Sequence, residues 1–223
     1  MKQLAIIGAG GFGREVAWLI ERINKIEPTW DLIGFVDDTQ NLHGSNVGGY
    51  PVLGNCDWLN KQQDNIYAVC AIGSSKARRK IIQKLKNVRI ATVVDPKVEM
   101  SDRISIGEGC IICAGTILTV DITLGSHVII NLDCTIGHDV VIENFVTLYP
   151  SVNVSGNTHL GECVEMGTGC QIIQGLMVGE GTIVGAGSVV IKELPCECTA
   201  VGSPAKPIKF HKKEKNTDEQ KDQ

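Results

Sequence analysis

From Val94 to Val190, every sixth residue is aliphatic, 17 positions in all, and the register never slips. Four residues after each of these from Ile106 onward comes a small or apolar residue, among them Cys110, Thr116, Val128, Cys134, Val146, Val164 and Ser188, and none is charged. A helix of period 3.6 could not keep a six-residue stripe on one face over such a length. The pattern predicts a parallel β-solenoid in which each short strand is one side of a triangular coil and three hexapeptides make one turn. About 100 residues then give five to six stacked coils. Gly follows the stripe at Gly107, Gly125, Gly137, Gly161, Gly167, Gly179 and Gly185, where the turning chain needs room or a positive φ.

Residues 1–90 have a different rhythm. A strand over Leu4–Ile7 runs into Gly8-Ala9-Gly10-Gly11-Phe12-Gly13, followed by a helix from Arg14 to about Asn24 and a second strand, Leu32–Val36, ending in Asp37-Asp38. A third strand, Tyr67–Ile72, ends in Gly73-Ser74-Ser75, and Ala77–Lys86 reads as a basic helix. Gly49–Gly54 reads as a turn and an edge segment. The G-x-G-x-x-G spacing after a strand and opening a helix lets backbone amides approach a phosphate. Ligands sit at the carboxyl ends of parallel strands, so Gly10, Gly11, Phe12, Asp37, Asp38, Gly73 and Ser74 converge on one crevice. Ninety residues hold half of a doubly wound fold, which favours a mononucleotide or nucleotide sugar over a full dinucleotide. Arg78, Arg79 and Lys80 are either a solvated helix face or a phosphate contact.

Aromatic residues make up only 4% of the chain and Gly contributes 25 of 223 residues, so the core is aliphatic. No apolar run approaches a membrane span, and the chain reads as unprocessed and cytoplasmic. Nine cysteines suit reduced thiols rather than disulfides. The formal charge of −4 is uneven: residues 1–90 carry 12 basic and 8 acidic side chains, residues 91–200 carry 3 and 13. That acidic middle argues against a nucleic-acid surface. Cys110-x-x-Cys113 has zinc-ligand spacing, but Cys110 falls on an inward position and no second pair follows, so core packing is the reading and no metal is expected.

The order of parts, IIGAGGFGREV, FVDD, CAIGSS, then repeats containing NLDCTIGHDVVIENF and closing with GAGSVV and AVGSPAKPIK, resembles the NeuD/PglD-type sugar acetyltransferases over residues 1–210. The resemblance implies an α/β Rossmann-like nucleotide-sugar-binding domain (1–90) followed by a left-handed parallel β-helix acetyltransferase domain (91–210), and a homotrimer. It implies acetyl-CoA as donor, with direct transfer to the amino group of a nucleotide-linked sugar in bacterial surface-glycan synthesis. His138 of the I-x-H-[DE] element would be the base and Asp139 its partner. Asn131 would face the sugar, and Thr147, Thr168, Ala186 and Lys206, with Lys209, would meet CoA. Phe12 and Thr147 stand where some members carry histidine. Two alternatives stay open: O-acetylation of sialic acid or another sugar, and a non-catalytic scaffold that binds nucleotide sugars. The tail 211–223, without an apolar residue, reads as disordered.

Overall fold

The structure is a computed structural model and describes residues 1–62 and 66–211. The expectation for the tail beyond His211 lies outside the described residues.

The chain opens with β1 (Lys2–Ile7), α1 (Gly11–Ile26), β2 (Trp30–Val36), β3 (Asn46–Val47), β4 (Tyr50–Gly54), α2 (Cys56–Asn60), β5 (Tyr67–Cys70), α3 (Ser75–Lys84) and β6 (Arg89–Ile90). They form one sheet in the order β3-β4-β2-β1-β5-β6, parallel except for the β3–β4 hairpin. From Leu4 to Ile7, β1 is apolar and buried on both faces, as a central parallel strand must be. Leu4 and Ile6 join Val16 and Ile20 of α1, whereas Ala5 and Ile7 join Cys56 and Leu59 of α2. The chain moves outward from β1 to β2 on one side and to β5 on the other, so the strand order reverses beside β1 and leaves a crevice at the carboxyl ends.

Element ends shift by two or three residues from expectation, with α3 at Ser75–Lys84 and β5 ending at Cys70, and two differences bear on the layout. α1 starts at Gly11, because Gly10 serves as its N-cap and the glycines form the first helical turn. The Gly49–Gly54 segment is not an edge: β4 lies between β2 and β3, and β3 takes the edge.

From Val93 the chain coils into three parallel sheets, each strand pairing with the strand 18 residues on, as in Ile112↔Ile130 and Leu118↔Ile136. The first sheet runs from Val93–Val94 to Ile183–Val184, the second from Glu99–Met100 to Val189–Val190, the third from Ile104–Ile106 to Met177–Val178. The six-residue stripe and the residues four after it fill the interior from Cys110 to Ala200. At about 1.5 to 3 kcal/mol for each buried aliphatic side chain, that column is the main support of a prism without aromatic residues inside. Met100 is the exception, 47% exposed on the outermost strand of its sheet.

The glycines after the stripe serve one of their two expected purposes. They provide room: a Cβ on Gly107 would lie 2.6 Å from the carbonyl of Gly125, and one on Gly167 2.6 Å from the amide of Ala186. Positive φ falls two residues later, at Asp121, His127, Asp133, Asp139, Phe145, Ser151, Asn157 and Cys163 and, in later coils, at Gly169, Gly175, Gly181 and Gly187. The chain closes with the antiparallel hairpin Cys198–Val201/Lys206–Phe210 on the last coil.

Candidate active site

The amino end of α1 is built to receive an anion. Its cap is a glycine, its first turn carries no acid, and Gly13 presses so closely on β1 that a Cβ there would strike the Gly8 carbonyl. The free amides of the first turn and the positive end of the helix dipole face the crevice. Gly10 and Gly11 are exposed and Phe12 is half-buried. Arg14, which the sequence reading passed over, lies beside this turn, its guanidinium 4.0 Å from where Gly11 would carry a Cβ. A cation directly after the glycine run was the signal.

Asp37 binds the turn itself: Oδ2 accepts the Ala9 amide at 2.9 Å and Oδ1 the Thr39 amide at 2.9 Å. Burial pushes its carboxyl up, but these hydrogen bonds outweigh burial and hold it below the ordinary carboxylate value. Asp38 is exposed, accepts the Cys56 amide at 3.1 Å, and lines a cavity of about 750 Å³ with Gln40, Asn60, Lys61, Lys84 and Lys86. Ser74 is exposed at the start of α3. The amino end of α3 is already taken by an acid, since Glu165 of the β-helix accepts both the Ser75 amide and hydroxyl at 2.8 Å.

Arg78 is neither a solvated charge nor a phosphate contact. It is fully buried where α3 meets the first sheet of the prism, and it donates to the carbonyls of Ile72, Gly73, His127, Phe145 and Val146 and to Thr147 Oγ1 at 2.6 to 3.2 Å. Burial lowers its guanidinium pKa below the ordinary value. Thr147, expected against CoA, is a correction: it is 1% exposed, and its hydroxyl donates to the Gly73 carbonyl at 2.7 Å. It closes the seam between the domains, where a cofactor cannot reach it. Asn131 lies on the same side of the prism, 8% exposed, its Oδ1 turned to the Leu132 amide at 2.7 Å. Gly73 sits there too, with Tyr149 Oη 3.3 Å from where a Cβ would be.

His138 stands at the corner between the second and third sheets with its side chain half exposed. Its Nδ1 meets Asp139 Oδ2 at 2.8 Å. Asp139 adopts φ 58°, which folds its carboxylate back onto the preceding ring. With Nδ1–H donated to the acid, the Nε2 lone pair points outward, the arrangement a general base requires. Two other histidines of the prism differ: His127 is 5% exposed and stacked on Phe145 at 4.9 Å, its Nδ1 without a partner among the described residues, and His159 pairs with Glu143 at 2.7 Å. No group of three or more His, Cys, Asp or Glu among the described residues is arranged to hold a metal. Cys110 faces the prism interior and Cys113 the domain seam.

Thr168 and Ala186 are exposed one coil apart on the corner between the first and second sheets, and Lys206 is exposed on the terminal hairpin. The nucleotide crevice belongs to a domain seated on the first sheet. In a triangular prism the His138 corner is the vertex opposite that face. The structure ties Asp37 to the glycine turn and sets Asp139 against His138, and these two groups lie on different sides of one prism.

A nucleotide-binding half-fold set on a hexapeptide prism with an exposed His–Asp pair defines a hexapeptide-repeat acyltransferase. The chain belongs to the NeuD/PglD-type sugar acetyltransferases, and the prism is their left-handed β-helix. A family model described as the PglD N-terminal domain matches residues 3–85. The acetyltransferase domain of PglB from Neisseria gonorrhoeae FA1090 is 31% identical, with 93% of this chain and 100% of that one covered and a TM-score of 0.84; a second structure of that domain is a complex with acetyl coenzyme A. WeeI from Acinetobacter baumannii AYE is 32% identical over 93% and 100% of the two chains, with a TM-score of 0.83. A variant of perosamine N-acetyltransferase from Caulobacter crescentus, in complex with CoA and GDP-perosamine, is 29% identical over 93% and 97%, also with a TM-score of 0.83. No curated protein matches the chain.

Proposed function

We propose that this protein transfers the acetyl group of acetyl-CoA to the amino group of a nucleotide-linked sugar, with His138 as general base. The observation that carries the reading is the exposed imidazole whose Nδ1 is held by Asp139, leaving Nε2 free. The amine nitrogen attacks the thioester carbonyl carbon, its proton passes to Nε2, the C–S bond breaks, and the CoA thiolate leaves and takes up a proton. An amide and free CoA result. Asp139 fixes the tautomer and favours the imidazolium once it forms. No covalent acyl-enzyme is needed. An amine rather than a hydroxyl acceptor is favoured by the N-acetyltransferase relative, whose structure holds CoA and GDP-perosamine.

The open amino end of α1 takes the diphosphate, with Arg14 beside it, and Asp38, Ser74 and Asn131 lie along the same crevice. CoA runs along Thr168 and Ala186 toward Lys206. Because base and crevice occupy opposite sides of one prism, the catalytic centre forms between two copies of the chain, in a homotrimer. Ile117, Val141, Ile173, Met177 and Ile191 remain exposed on the two faces that flank the His138 corner, an apolar surface suited to such contacts. No helix among the described residues is long and apolar enough to cross a membrane. The nine free cysteines, eight of them buried, support a reducing cytoplasm, where acetyl-CoA is at hand.

The test is product analysis by mass spectrometry with a panel of nucleoside-diphosphate amino sugars and their hydroxyl counterparts. Acetylation of an amino sugar, with His138→Ala slowing kcat by about 10²- to 10⁴-fold, is the expected result. Background CoA release with every sugar would leave only the scaffold reading.

A further inference from the structure

We propose that Gly156 is a positioning residue for the His138 imidazole: one coil further along the prism, it forms the floor on which the ring rests, and the absence of a side chain there lets Nδ1 reach Asp139. This rests on the reading of His138 as the base. A Cβ built on Gly156 would lie 2.5 Å from Nε2, 2.6 Å from Cε1 and 2.9 Å from Cδ2 of His138, and these ring atoms are its three nearest neighbours.

Backbone conformation does not call for glycine at this position. Gly156 lies outside the left-handed region of φ that Gly169, Gly175, Gly181 and Gly187 occupy at their corners. The neighbouring coil glycines are required by backbone, since a Cβ on Gly137 would meet the Gly156 amide at 2.6 Å. Only at Gly156 among the coil glycines is a histidine ring the whole of the nearest obstruction, apart from Gly109, whose Cβ would meet the buried His127 and also Ile90.

The floor is fixed on both sides. The Asn157 amide donates to the His138 carbonyl at 2.7 Å, and the Gly156 carbonyl accepts the Gly175 amide at 3.1 Å. The ring is therefore held by two contacts, Asp139 at the Nδ1 edge and the bare Gly156 backbone beneath the Nε2 edge. A methyl group at 156 must lift the Nε2 edge. The ring ends a side chain with two rotatable bonds, so the fold yields easily. The reaction does not, because displacement of a catalytic group by about 1 Å costs on the order of 10²-fold.

The experiment compares wild type, Gly156→Ala, His138→Ala and the double variant for kcat, both KM values, melting temperature and the imidazole ¹H–¹⁵N resonances of His138. Gly156→Ala is expected to lower kcat by about 10²-fold with both KM values near wild type, and to shift the His138 ring resonances. The double variant is expected to be no slower than His138→Ala, since the methyl group then has no ring to displace. If Gly156→Ala melts lower, the double variant should recover the melting temperature of His138→Ala. Wild-type kcat with unmoved ring resonances in Gly156→Ala would overturn the proposal, as would a double variant far slower than His138→Ala or one that fails to recover stability. Those failures are distinct from that of the catalytic reading, which would appear as wild-type kcat in His138→Ala itself.

Discussion

Arg78 carries the sharpest energetic consequence of any single side chain. A guanidinium offers five N–H donors in a planar fork, and here it meets six acceptors drawn from α3's approach and two adjacent coils. Lysine has three donors and a compact, strongly hydrated charge, so it cannot reproduce the fork. Arg78→Lys is therefore expected to cost about 3 kcal/mol by leaving buried carbonyls unpaired, read as a lowered melting temperature. Arg79, one residue on, pairs with Glu162 at the half-exposed rim at 3.0 Å, and Arg79→Ala should change the melting point little. The sequence marked both as one basic run. Which of them is buried depends on the face α3 turns to the prism, and local pattern does not encode that.

Between elements, α1 is strapped to the first coil by Arg22, which meets Asp95 through both carboxylate oxygens. The Asp95 side chain is 1% exposed. Burial pushes its carboxyl up, but the Arg22 contacts and the Lys97 amide outweigh burial and hold it below its ordinary value of 3.8. A carboxyl depressed in the folded state adds stability above its unfolded pKa and loses it as pH falls through the folded one. Thermal melts of Asp95→Asn should show a lower melting temperature near neutral pH, with a smaller further loss on acidification below about pH 4 than wild type. The prism itself was legible because a period of six with small partners at a fixed offset has no other regular solution. The glycines were legible as glycines, but their division into close approach and positive φ was not, because both demands select the same residue. Thr147 was misplaced for a related reason: its hexapeptide phase puts it on the first sheet, but the phase does not reveal that α3 covers that sheet.

At the scale of the whole molecule, the separation of the His138 corner from the crevice makes a prediction that one chain could not satisfy. His138→Ala has an intact crevice, and Gly10→Glu, which sets a carboxylate at the open end of α1, has an intact base. Mixing the two after unfolding and refolding together should restore about a quarter of wild-type activity if each centre joins one copy's corner to the next copy's crevice in a closed ring of three. Two inactive proteins that stay inactive when mixed would mean that each centre lies within one chain. The sequence exposed the crevice and the base separately, through glycine spacing and the I-x-H-D element. Their distance from each other emerges only when the coils are stacked and the first domain is seated.

The clamp at that seat has a consequence for how the chain can vary. Arg78 grips the main-chain oxygens of His127, Phe145 and Val146, atoms that every residue supplies. Mutations that respect the coil's shape can therefore rewrite those three positions without loosening the join. Two halves held in this way can drift apart in composition, one adapting to new sugars and the other to new neighbours, while the hinge between them stays shut.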